Sequence, residues 1–154
     1  KPLFPLPQPL LPIAGRGEGY PVRRIYCVGR NYADHAREMG DSGREPPFFF
    51  AKPADALVPV VEGSEDGLPI PEDRKLHHEV ELVVAIGRSG AGISPDRALD
   101  HVFGYAVGVD LTRRDIQAGL KQKCQPWELA KAFDQSAPVG SLHAATDINR
   151  QSVV

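Results

Sequence analysis

"HHEVELVVAIG", residues 77–87, carries Glu79 and Glu81 two apart inside an otherwise apolar run. A strand projects residues i and i+2 from the same face, so the two carboxylates share a side. That side continues through Val83, Ala85 and Gly87, acidic at one end and apolar at the other. Two readings are open. The first is the water-facing side of an antiparallel strand, which asks for nothing more. The second is a cation held between the acids, because like charges beside a core repel and resist desolvation unless a cation separates them.

A third carboxylate bears on the choice. "GYAVGVDLT", residues 104–112, is an apolar strand that ends in Asp110 just before a helix. A charge at a strand end can be a plain cap or part of a site. Three oxygen donors without clustered cysteine suit a hard divalent ion, Mg²⁺ or Mn²⁺, better than zinc.

The rest of the chain bounds what such a site could serve. Its 154 residues are enough for one domain with a real core. A composition of 42% hydrophobic and 25% charged residues is that of a folded globular protein. The net charge of −2 is spread along the chain, so nothing draws it to nucleic acid or an anionic membrane. No apolar stretch reaches the roughly 18–20 residues of a membrane span, and no secretory signal pattern opens the chain. Cys27 and Cys124 stand far apart and form no CxxC pair, which leaves a reducing cytoplasm as the expected compartment. The chain opens on Lys1 and closes on "TDINRQSVV" without a structural stop, so a C-terminal part is expected to be missing.

Five prolines in the first twelve residues predict an extended arm over residues 1–19, with a catalytic domain over 20–154. Short strands are predicted at residues 22–28, around 48–59 with a break at Pro53, and at 77–87 and 102–112. Helices are predicted at 32–39, at 94–102 with Ser94 as cap, and after Thr112, with Asp115 completing a capping box. "QPWELAKAFDQSAPVG", residues 125–140, reads as a proline-bounded loop. With 15 Gly and 15 Pro, the expected class is α+β, β-rich, with a few short helices.

Three further groups could carry chemistry. His35 and Glu38 lie three apart on one helical turn, as a general base with its orienting carboxylate or as an ordinary surface pair. Lys131, in "WELAKAFD", is either a partly desolvated cation facing a site or a lysine that snorkels to water. Arg114 and Gln117 share a helix face and could grip a carboxylate, or they are exposed surface. The turn at residues 29–31, with Arg30 at its centre, could present donors to an anion.

Taken in order, "IYCVGRNYADHAREMG", "PFFFAKPADA", "HHEVELVVAIG", "GYAVGVDLTRRDIQ" and "PWELAKAFDQSAPVG" closely resemble the fumarylacetoacetate hydrolase family, over about residues 20–140. Within it they look like the acylpyruvate branch, which includes fumarylpyruvate hydrolases. The resemblance implies a mixed β-sheet roll and a homodimer. It implies Glu79, Glu81 and Asp110 as ligands of Mg²⁺ or Mn²⁺, and His35 with Glu38 as the water-activating dyad. Lys131 would support the keto or enolate oxygen, and Arg30, Arg114 and Gln117 would bind a small keto acid. The implied reaction is hydrolysis of a carbon–carbon bond in an acylpyruvate, fumarylpyruvate above all, in aromatic-compound catabolism. Two other outcomes stay open: oxaloacetate decarboxylation or keto–enol exchange at the same metal site, and a non-catalytic, metal-stabilised scaffold. Cys124 departs from the family, whose members often have glycine there.

Overall fold

Two strands dominate the computed structural model, which describes residues 3–29, 31–32, 46–64 and 75–148. The helix expected at 32–39, apart from Tyr32, and Arg30, His35 and Glu38 lie outside those residues. In chain order the strands are β1 (Leu10–Pro12), β2 (Gly19–Pro21), β3 (Ile25–Gly29), β4 (Phe48–Lys52), β5 (Leu57–Pro59), β6 (Leu76–Ile86), β7 (Val102–Arg113), β8 (Ala137–Val139) and β9 (His143–Ala144). The α-helices are α1 (Arg114–Gln122) and α2 (Glu128–Lys131).

β6 and β7 pair antiparallel over nearly their whole length, with Glu79 opposite Asp110 and Glu81 opposite Gly108. β8 runs against the other side of β7 and pairs parallel with β5, so the sheet is mixed, in the order β5-β8-β7-β6. β9 pairs with the start of β7. Two small antiparallel ladders, β1–β2 and β3–β4, complete the β content. The β-rich α+β class with few short helices matches the expectation.

Strand parity decides what each face does. On β6, Glu79, Glu81, Val83 and Ala85 turn inward, with Ala85 at 5% exposure. Val80, Leu82, Val84 and Ile86 face outward, joined by Val107 of β7. The acids therefore lie on the inner side, which removes the reading of a water-facing strand edge. Ala85 belongs to a core shared with Leu11, Ile13, Val22, Ala106, Val139 and Leu142. Tyr20 packs on Phe103, ring centroids 5.9 Å apart, and its hydroxyl donates to the Ile86 carbonyl at 2.9 Å. The proline-rich opening thus contributes Leu11 and Ile13 to the core, and its strand β1 pairs across residues 19–21.

Three local expectations are corrected. Residues 95–101 form a 3₁₀ helix rather than an α-helix, and Ser94 stands at its start without a side-chain cap bond. The helix after β7 begins at Arg114, and Thr112 does not cap it. Thr112 is fully buried in β7, and its hydroxyl donates to the Asp110 carbonyl at 3.1 Å, so the strand has taken the residue a capping box needed. Residues 125–140, expected as loop, contain α2 and β8.

Gly104 of β7 lies against β9: a Cβ there would stand 2.2 Å from the backbone oxygen of His143. Backbone cannot swing aside as a side chain can, so the β7–β9 pairing would have to open. Gly104→Ala is expected to lower unfolding free energy by about 1–3 kcal/mol in urea titration; wild-type stability would show that this close approach is not held.

Candidate active site

Asp110 sits near the end of β7, buried to 6% exposure. Glu79, opposite it on β6, is half-buried and projects from the same face of the sheet. One ammonium joins the two: Lys131 Nζ donates to Glu79 Oε2 and to Asp110 Oδ2, at 2.6 Å each. Lys131 is in the last turn of α2 and only 2% exposed. Its apolar neighbours Leu129 and Ala130 help wind that turn, and the lysine points inward rather than snorkelling.

The second oxygen of Asp110 meets a residue the sequence reading did not single out. Lys52, at the end of β4, places Nζ 2.8 Å from Asp110 Oδ1 and is 3% exposed. A signal for it existed. "FFFAKPA" sets a lysine in an apolar run, the same signature that drew attention to Lys131 in "WELAKAFD". The Lys52 ammonium is disfavoured by burial, which the Asp110 charge opposes, and the balance leaves its pKa below the ordinary lysine value.

Arg114, at the first turn of α1, donates to Glu79 Oε1 through Nη2 and to Gln117 Oε1 through Nη1 at 2.6 Å. Its Nε reaches His77 Nδ1 at 3.4 Å. His77 thereby gains a contact with the site, while His78 points to the opposite face, as its parity requires. Burial opposes ionisation of Glu79, but hydrogen bonds and charge from Lys131, then Arg114, outweigh it and hold the carboxyl below its usual range. Glu81 goes the other way. Burial, then the charges of Asp110 and Glu79, push its carboxyl up, against a hydrogen bond with Tyr32. Tyr32 Oη also accepts from the Leu82 amide at 3.2 Å.

These groups border a cavity of about 1490 Å³ between the β3–β4 ladder and the inner face of β6 and β7. Its wall includes Glu79, Glu81, Asp110, Arg114, Gln117 and Lys131. Aromatic side chains form another part, where Trp127 meets Phe48 edge-on at 5.5 Å and tilts against Phe50 at 5.9 Å. Cys27 also borders the cavity, but burial, then the Asp110 charge, push its thiol up to about 11, which favours the neutral thiol near neutral pH. Neither Cys27 nor Cys124 is in a disulfide.

Six expected site residues are therefore gathered on one cavity, while His35, Glu38 and Arg30 lie outside the described residues. Among the described residues, no three His, Cys, Asp or Glu side chains stand close enough to clasp an ion directly. The Lys131 ammonium lies between Glu79 and Asp110 and pairs with both. Charge balances within the described cluster, with Glu79, Glu81 and Asp110 against Lys52, Lys131 and Arg114. The donor chemistry fits a hard divalent cation. All three donors are carboxylates, Glu81 is crowded by its own kind, and Asp110 Oδ1 carries no hydrogen bond of good geometry. No helix among the described residues is long and apolar enough to cross a membrane.

Comparison with known proteins identifies the family. Residues 24–153 match the family described as fumarylacetoacetate (FAA) hydrolase C-terminal. The chain is 47% identical over 120 residues to the mitochondrial oxaloacetate tautomerase FAHD1 of Rattus norvegicus, covering 78% of this chain and 53% of that protein. It is 43% identical over 129 residues to the oxaloacetate tautomerase YcgM of Escherichia coli K12, covering 83% and 57%. The crystal structure of fumarylpyruvate hydrolase from Pseudomonas aeruginosa, in complex with Mn²⁺ and pyruvate, superposes with a TM-score of 0.89 at 54% identity, covering 95% of this chain and 64% of that one. The chain thus spans about half the length of the curated relatives it matches. Sequence, sheet topology and superposition agree: this chain belongs to the fumarylacetoacetate hydrolase family.

Proposed function

We propose that the chain carries the metal-dependent site of an acylpyruvate hydrolase, acting on fumarylpyruvate to give fumarate and pyruvate. The observation that carries the reading is the buried Glu79–Asp110–Lys131 cluster on the cavity wall. The Pseudomonas enzyme, 54% identical, supports the choice of acyl group. In this reading Glu79, Glu81 and Asp110 hold Mg²⁺ or Mn²⁺. An ion held there would supply Lewis acidity toward a keto acid substrate.

Each remaining step belongs to a side chain. Arg114 and Gln117, already joined at 2.6 Å, present a preformed pair of donors to the substrate carboxylate, and Arg30 joins them. His35, oriented by Glu38, takes a proton from the water that adds to the distal carbonyl. The carbon–carbon bond then breaks, its electron pair passing into the pyruvate enolate. Lys131 donates hydrogen bonds to that enolate oxygen, charge meeting charge where water is scarce. The proton that His35 took from water passes to the enolate carbon and completes pyruvate. As family members are homodimers by the resemblance above, a homodimer is part of the proposal.

A second reading is favoured by the curated relatives from rat and E. coli, both oxaloacetate tautomerases at 47% and 43% identity. Keto–enol exchange or decarboxylation of oxaloacetate uses the same electron sink and needs no attacking water.

Four experiments test these readings. Pyruvate release from fumarylpyruvate is expected to vanish with EDTA and return with Mg²⁺ or Mn²⁺; undiminished turnover without metal would remove the metal-dependent hydrolase reading. His35→Ala should reduce hydrolysis by about 10²–10⁴-fold while metal-assisted oxaloacetate decarboxylation persists. A wild-type protein that turns over oxaloacetate and leaves fumarylpyruvate intact would settle for the second reading. Light scattering should give twice the chain mass, and a monomer at micromolar concentration would exclude the homodimer.

A further inference from the structure

Lys52 is bound into the site yet does not border the cavity, whereas Asp110 and Lys131 both do. Its backbone belongs to the β3–β4 ladder, paired with Ile25, while its side chain crosses to the other sheet. An ammonium has three donors and no acceptor. Here it donates to the Leu111 carbonyl at 3.3 Å and to the backbone carbonyl of Lys131, and it lies 2.8 Å from Asp110 Oδ1. Ser136 Oγ donates to the same Lys131 carbonyl at 3.1 Å. The Phe133 ring centroid, 5.8 Å from the ammonium, covers it.

We infer that Lys52 is a positioning residue: one buried ammonium fixes the Asp110 carboxylate and the end of α2 that carries Lys131. Two features favour this over simple charge neutralisation. Asp110 already has the Lys131 ammonium at 2.6 Å for its negative charge. The other contacts of Lys52 are to backbone carbonyls, of Leu111 beside Asp110 and of Lys131 itself, and these set where the two chains run rather than their charge. Lys52 therefore does for Asp110 and Lys131 what an outer partner does for a metal ligand, orienting it from behind.

The inference rests on the proposed function for its metal readout, and the test separates the two. Mn²⁺ binding is followed by the paramagnetic resonance signal of free Mn²⁺, with far-UV circular dichroism checking the fold. Lys52→Met is expected to raise the Mn²⁺ Kd about 10–100-fold. Lys52→Arg keeps the charge but cannot place a planar guanidinium among the same three acceptors, and it too should bind Mn²⁺ more weakly than wild type. A wild-type or tighter Kd in either folded variant would overturn the inference, since neutralisation alone is restored by arginine. Should Lys52→Met fail to fold, Lys52→Arg decides on the same criterion. If the wild-type chain itself binds no Mn²⁺, the functional reading falls, and metal-free crystals of Lys52→Arg decide instead. A displaced Asp110 carboxylate or Lys131 ammonium supports the inference, and both groups in their wild-type places overturn it.

Discussion

Burying the Asp110 carboxylate costs far more than a strand end can offset through packing, unless its charge is paired and the carboxylate is held in place. Lys52 and Lys131 meet that requirement from two different elements, β4 and α2. Each of those lysines is itself buried and would be costly without Asp110. The three groups are therefore mutually dependent, and removing one partner from such a cluster typically costs about 3–5 kcal/mol. That dependence ties the small β3–β4 ladder to the main sheet. It also brings α2 back across β7, although only four residues of helix carry it.

The long antiparallel pair β6–β7 supplies the frame on which this happens. Its register sets Glu79 across from Asp110, and its alternation keeps Glu81, Val83 and Ala85 on the same inner side. Gly108, across from Glu81, leaves room there: a Cβ would come within 2.7 Å of the Val83 side chain. The apolar half of the strand packs into the core and the acidic half borders the cavity, so one period-2 pattern serves both stability and chemistry.

Much of this was legible in the sequence, for identifiable reasons. The strand at 76–86, the acids on one face and the helix carrying Arg114 and Gln117 all follow from short-range periodicity. The order of the five sequence blocks pointed to the family. Lys52 was passed over although "FFFAKPA" sets it in an apolar run, because what places it in the site is contact with Asp110 and Leu111, fifty-eight and fifty-nine residues further on, which that local run does not report. Thr112 misled for the opposite reason. Its local pattern was a good cap, but burial in a twelve-residue strand gave its hydroxyl a different acceptor. The outward turn of Val80, Leu82 and Val84 was equally hidden, since alternation shows which residues share a side but not which side faces in. Burial of the more polar face of β6 follows from the lysines and arginine waiting there.

The balance of three acids against three bases in the described cluster has a thermodynamic consequence. A divalent ion entering such a neutral group leaves two positive charges in a region of low dielectric, which is unfavourable by itself. In the proposed function, a keto acid bearing two carboxylates would cancel that excess. Ion and substrate would then each raise the other's affinity by the same factor, as reciprocal linkage demands. Occupancy of the site by metal would in that case depend on how much substrate is present.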